Sequence, residues 1–243
     1  MTVAALFHRP PAGPDADRDL LRRFADRRDD GAFAALVHRY GRLVFATCLR
    51  VLSHRADAED AYQATFLVLA RRCGAIRSDE KLAGWLHTVA VRTATEVRRM
   101  RARAKMAPSL TLPAPTGPTD PLESRELATV LDEELAKLPD HYRLAVVLCE
   151  LNGVGRKAAA KELGVAEGTL SSRLAKARKL LADRLTSRGF GAVSAGALTA
   201  ALASSAAARI PVSALAFGAA DDILNIIIQS VAIRWSKPCS QPS

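Results

Sequence analysis

Aromatic residues are scarce in this chain, at 5% of 243 residues, while alanine is plentiful. That balance disfavours sheets and favours helices. Cysteine is scarcer still. The four thiols, Cys48, Cys73, Cys149 and Cys239, form no CxxC pair, and no histidine lies at zinc-finger spacing from any of them. A disulfide framework and a structural zinc are therefore not expected, and reduced thiols are. The five histidines, at 8, 38, 54, 87 and 141, are scattered. They give no nucleophile–base or metal-ligand spacing, so neither an enzyme nor a cofactor is expected. The opening MTVAALFHRPPAGPDAD has no basic start followed by an apolar core. It does not read as a signal peptide, and a cytoplasmic location is the expectation.

Positive charge is what the chain has in excess. Its 35 Lys and Arg against 25 Asp and Glu leave a formal net charge of +10. This points to a polyanionic partner, nucleic acid or anionic membrane. The excess is unevenly placed. Residues 18–106 carry +9, residues 120–150 carry 3 basic and 8 acidic side chains, and residues 151–189 carry 9 basic and 3 acidic ones. Acidic then basic charge within one small unit suggests two faces with different partners. Between the charged blocks, PSLTLPAPTGPTDP holds prolines at 108, 113, 115, 118 and 121. Proline at this density forbids helix and sheet ladders. It predicts a semi-rigid linker of about 40 Å at full reach.

Apolar spacing of three and four predicts an all-α fold. One stripe runs through Phe33, Leu36, Val37, Tyr40, Val44, Thr47, Cys48 and Val51, and a second through Ala58, Ala61, Tyr62, Thr65, Phe66 and Leu69. A third, through Leu82, Trp85, Leu86, Val89, Thr93 and Val97, follows an N-cap at Ser78 or Asp79 and continues into RRMRARAK. There Arg98, Arg99, Arg101, Arg103 and Lys105 stand without an acid. A helix dipole explains one or two such cations; five suggest phosphate contact.

Residues 138–185 carry the most specific pattern. Pro139 opens a helix at its first position, with Leu144, Val147, Leu148 and Leu151 inward, which stops at Asn152-Gly153. A short helix follows near 156–163, then Gly164 for a left-handed turn and Val165 as a plug between helices. A longer helix starts near Glu167 and runs on Leu170, Leu174, Ala177, Leu181 and Leu185. This reads as a helix-turn-helix. Its second helix would present Glu167, Gly168, Thr169, Ser171, Ser172 and Arg173 to the major groove. Arg173 suits guanine, and Glu167 suits a cytosine amine. Lys157, Lys176, Arg178 and Lys179 suit phosphates. The bland alternative is a helical hairpin with a charged face.

The stretch LPDHYRLAVVLCELNGVGRKAAAKELGVAEGTLSSRLAKARKLL resembles the fourth, promoter-binding region of bacterial sigma factors. DAEDAYQATFLVLA (57–70) and AGWLHTVAVRTA (83–94) resemble their second region. Both in this order, across a short linker, resemble the extracytoplasmic-function (ECF) subgroup of the sigma-70 family. The resemblance implies a protein that binds core RNA polymerase and promoter DNA and directs transcription initiation. It puts Asp57, Glu59, Asp60, Gln63 and Phe66 on the polymerase-docking helix, with pure core as the even alternative for Phe66. It puts Arg72, Arg77, Lys81, Trp85, His87, Arg92, Arg98 and Arg99 at the minus-ten element, with Trp85 weighted towards core. It puts the helix-turn-helix at the minus-thirty-five element. The chain departs from the family pattern at Ser171, often Lys, and at Thr88 and Arg92, where Arg and Asn are common. A promoter unlike the usual one is expected.

The implied organisation is a disordered arm at 1–17, a region-two-like domain at 18–106, a Pro-rich linker at 107–121, a region-four-like domain at 122–189 and an extension at 190–243. The extension begins with 19 uncharged residues, 190–208, and adds the apolar ILNIIIQSVAI at 223–233. Neither stretch suits a membrane span. Two helices packed on the domains or on a partner are favoured over disorder or membrane contact, with a regulatory role that overlaps that of an anti-sigma factor. The rival readings are a polymerase-independent helix-turn-helix regulator and, more weakly, a membrane-associated helical adaptor.

Overall fold

A computed structural model describes residues 16–76, 82–106, 122–191, and 196, 198, 201 and 202. Helix follows helix: α1 (Asp17–Arg27), α2 (Asp30–Leu52), α3 (Arg55–Arg72), α4 (Leu82–Met106), α5 (Leu122–Ala136), α6 (Asp140–Val146), α7 (Arg156–Glu162) and α8 (Glu167–Ser187). No strand occurs among the described residues. The expected linker, the N-cap at Ser78 or Asp79 and most of the arm and extension lie outside those residues.

Local chemistry sets the helix ends. Asp29 caps α2 by accepting from the Ala32 N–H at 3.1 Å, and Arg23 from α1 holds the same carboxylate at 2.9 Å. Arg28 and Ser53 close α1 and α2 in the left-handed conformation, with N–H bonds back to Phe24 and Leu49. Asp17, assigned to the arm by sequence, opens α1, and Arg39 and Tyr40 both bond it. Pro139 sits one position earlier than expected. It is the N-cap of α6, and its carbonyl accepts from Tyr142 and Arg143 at 3.0 Å.

Helices α1 to α4 form the first unit, with α2 at its centre. Its core is aromatic: Tyr62 meets Phe66 edge-on at 5.0 Å and Phe45 at 6.0 Å, and Phe33 stacks on Phe24 at 4.7 Å. Thr47, Thr65, Thr88 and Thr93 are buried without orphaned hydroxyls, because each donates to the carbonyl four residues earlier. Helices α5 to α8 form the second unit. The α8 stripe Leu170, Leu174, Ala177, Leu181 and Leu185 is wholly buried, as its spacing predicts. The last turn of α6 widens into a π-turn, Val147–Leu151.

The two units pack on each other through α5, an element that the apolar stripes had not announced. Leu131, Leu135 and Leu138 are buried. At the centre, the fully buried Asp132 receives Arg50 of α2 bidentately, Nε at 2.6 Å and Nη2 at 2.9 Å, and His87 Nε2 of α4 lies 3.0 Å away. Alongside, α4 and α6 approach so closely that a Cβ on Gly84 would stand 2.8 Å from Cδ2 of Leu144. Glycine at 84 is what lets these helices touch. Leu198 and Leu202, from the start of the extension, are also buried in the core.

Candidate nucleic-acid interface

The turn between α7 and α8 is built on Gly164 at φ +64°, whose N–H bonds Lys161 while that of Val165 bonds Ala160. Val165 is half-buried against the core. With Leu170 and Leu174 inward, the start of α8 turns Glu167, Gly168, Thr169 and Ser172 to solvent, with Ser171 and Arg173 half-buried at the edge. Beyond its chain neighbours and its own helix backbone, nothing lies within 4 Å of where a Gly168 Cβ would stand. Its missing side chain leaves clearance on the outer surface. Lys157, Lys176 and Lys179 are exposed on the same unit. This arrangement can insert a narrow polar ridge into a groove and flank it with cations.

Arg178 is differently employed. Glu150 of the π-turn holds its guanidinium in a close ion pair, so it ties α8 to the turn beneath.

The residues expected at the minus-ten element are less uniformly placed. Arg92 is exposed and Arg72 half-buried, while Arg77 and Lys81 lie outside the described residues. Trp85 is half-buried against the core. The basic end of α4 is not the bare run its sequence suggests. Arg98 bonds Glu133 of α5 at 2.8 Å, Arg99 lies 3.7 Å from Glu96, and Arg101 pairs with Asp57. His87 departs furthest from expectation, being fully buried at the unit interface. Burial pushes its pKa down against the pull of Asp132, and the charges of Arg50 and Arg143 add to the lowering. A neutral ring donates Nε2–H to the carboxylate and leaves Nδ1 without a hydrogen-bond partner. Burial alone would raise the Asp132 carboxyl. The charge of Arg50 and the hydrogen bonds from His87 and Arg50 outweigh it and hold Asp132 below the usual carboxylate range.

On α3, only Asp60 of the expected polymerase-docking set is fully exposed; Glu59 and Gln63 are half-buried. Phe66 is buried in the aromatic cluster, where it acts as core. Asp57 is buried too, held by Arg101 and lying 3.6 Å from His54 Nδ1. Sequence reasoning missed Arg50, and it read Asp132 and Glu133 only as part of an acidic surface, not as partners of Arg50, His87 and Arg98. The spacing of Leu127, Leu131, Leu135 and Leu138 was the available signal for the helix that carries the two acids. Among the described thiols, Cys48 and Cys73 are buried and Cys149 half-buried, and none is in a disulfide.

Comparison with known proteins places this geometry. Residues 36–104 match the family model described as Sigma-70 region 2, and residues 128–181 match Sigma-70, region 4. The ECF RNA polymerase sigma factor SigM of Mycobacterium tuberculosis is 34% identical over 157 residues, 65% of this chain and 79% of that protein. The ECF RNA polymerase sigma factor SigW of Bacillus subtilis is 25% identical over 169 residues, 65% of this chain and 90% of that one. A solved structure of CnrH in complex with the cytosolic domain of CnrY aligns at 26% identity and a TM-score of 0.36, over 71% of this chain and 99% of that one. With second- and fourth-region units in order on one chain, this protein belongs to the ECF subgroup of the sigma-70 family of RNA polymerase sigma factors.

Proposed function

We propose that the chain binds core RNA polymerase and directs it to promoters, the first unit at the minus-ten element and α8 at the minus-thirty-five element. The observation that carries this reading is the exposed ridge at the start of α8, flanked by lysines, on the same chain as a second-region unit. In it, Glu167, Thr169, Ser172 and Arg173 meet base edges, and Lys157, Lys176 and Lys179 meet phosphates. Asp60 leads the polymerase contact, where an acid suits a basic protein surface. The sigma chain contributes binding and orientation, and the chemistry of transcription belongs to polymerase. It acts in the cytoplasm, where polymerase and DNA meet. No helix among the described residues is long and apolar enough to cross a membrane. An anti-sigma partner, and a regulatory role for the extension, complete the reading.

Run-off transcription with core polymerase on genomic fragments tests it. The chain yields discrete transcripts that polymerase alone does not. Arg173→Ala costs about 1–3 kcal/mol of promoter affinity and relaxes preference at one base pair; a uniform loss on all sequences makes it a phosphate contact instead. Asp60→Lys weakens co-purification with core polymerase, and unchanged binding removes Asp60 from the docking surface.

A further inference from the structure

The groove-facing half of α8 is fastened to the rest of its unit by one ion pair. Arg178 of α8 donates to Glu150 of the π-turn, and their side chains are only 26% and 13% exposed. A pair so covered is shielded from the screening that makes surface pairs weak. Among the described residues, Arg178 is the only one of the cations at 173, 176, 178 and 179 that an acid of the protein holds. The Cys149 thiol marks the same corner. Burial and Glu150 push its pKa up, while Arg156, the first residue of α7, and Arg178 pull it down. Charges from the π-turn, α7 and α8 therefore meet there.

The backbone beneath is unusual. Asn152 and Val154 send N–H bonds back five and six residues, to Val147 and Leu148, each at 2.9 Å. Wide turns of this kind are frequent at functional sites. Here the wide turn carries the acid that reaches α8. The far end of α8 is held separately, by Arg184 and Arg188 on Glu134 of α5.

The place of the pair along α8 gives it a consequence for reading. Arg178 follows Ser171 by seven residues, two turns of helix, so both stand on one flank about 10 Å apart. The buried stripe of leucines and Ala177 is non-directional and tolerates small rotations. A charge-assisted hydrogen bond does not. A rotation of about 10° about the helix axis swings a side-chain tip by about 1 Å. That is enough to spoil a bidentate bond to a base edge, while a lysine follows a phosphate as a point charge.

We propose that Arg178 is a positioning residue, which with Glu150 sets the rotation of α8 and so the base edges that Ser171 and Arg173 meet. It contacts no phosphate itself. The inference rests on the sigma-factor reading and adds to it a determinant of promoter choice that does not touch DNA.

The test measures binding by the holoenzyme, the full-length chain with core polymerase. One target is a promoter fragment found by run-off transcription, and the other is the same fragment with its minus-thirty-five element scrambled. Arg178→Met and Glu150→Gln should each lower the preference for the intact element about tenfold, the discrimination of one bidentate base contact. Binding to the scrambled fragment and the slope of affinity against salt should stay as in the parent, because no phosphate contact is lost. The double variant should be no worse than either single one. If Arg178→Met weakens both fragments alike and flattens the salt slope by about one, Arg178 is a phosphate contact and the proposal fails. It fails too if Glu150→Gln leaves the preference untouched. Lost preference that tracks faster amide exchange along α8 also overturns it, since the pair is then only a stabiliser. Failure of the sigma-factor reading looks different, because the unaltered chain would then neither co-purify with core polymerase nor yield a discrete transcript from any fragment.

Discussion

The two units are stabilised in different ways. The first is built around buried rings, with Tyr62 against both Phe45 and Phe66 and with Phe24 and Tyr40 buried in the same core. The second buries no aromatic ring among the described residues; Tyr142 and Phe190 are only half-covered, and its interior is leucine, valine and alanine. It compensates with ion pairs along α5 and α8, such as Arg188 to Glu134 at 2.7 Å, and by leaning on the first unit. A core of aliphatic side chains in so short a segment is marginal alone. The unit assigned to the minus-ten element and to polymerase docking thus has the aromatic core, and the unit assigned to the minus-thirty-five element leans on it.

The largest break in this contrast comes from the rings. Phe66→Ala costs about 3–5 kcal/mol in urea unfolding and melts the whole molecule, because the second unit loses its support. Leu181→Ala costs about 2–4 kcal/mol. Its loss is confined to residues 122–187, seen as faster amide exchange there while α2 and α3 stay protected. Gly164→Ala costs about 1–2 kcal/mol. No atom beyond the adjoining residues lies within 4 Å of the added methyl, so the penalty is backbone alone, and promoter affinity falls in step with the second unit's stability.

The smallest effect is on pH and sharpens the role of the interface. The folded pKa of His87 is lowered, chiefly by burial and further by Arg50 and Arg143, against Asp132. Its contribution is complete above the unfolded value near 6.5 and is lost as pH falls below it towards the folded value. Asp132 has a lowered pKa as well, so its contribution is intact above the ordinary carboxylate range and is lost progressively only as pH falls through and below it. Between pH 7.5 and 5 the loss of the His87 contribution therefore weakens the contact between the two units, by at most about 1.4 kcal/mol per pH unit for one titrating group. His87→Gln removes that part of the slope, and equal slopes for the two chains in pH-dependent unfolding contradict the assignment.

Much of this was legible from spacing. The stripes of α2, α3, α4 and α8 are long, and each faces one core, so period and burial agree. Gly164 and Val165 announced the turn because a left-handed residue between two short apolar patterns has few other uses. Helix α1 was missed because Leu20, Leu21 and Phe24 sit among a dense run of charges. Helix α5 was read for its acids alone, as a surface for another molecule. In the folded chain those acids face Arg50, His87, Arg98, Arg184 and Arg188 of the same molecule. Pairing across 45 and 35 positions leaves no local period, and that is why His87 and Arg98 were read as facing DNA.

The Arg50–Asp132 pair bears on how such chains diverge and are recombined. A buried guanidinium whose acid has gone is severely penalised, so neither position drifts alone. Lineages that exchange one must exchange the other, and the two columns should covary. The same constraint meets anyone grafting a foreign promoter-reading half onto residues 1–106. The graft must bring an acid to position 132, or Arg50 must be replaced with it, before the chimera's new specificity can be assayed.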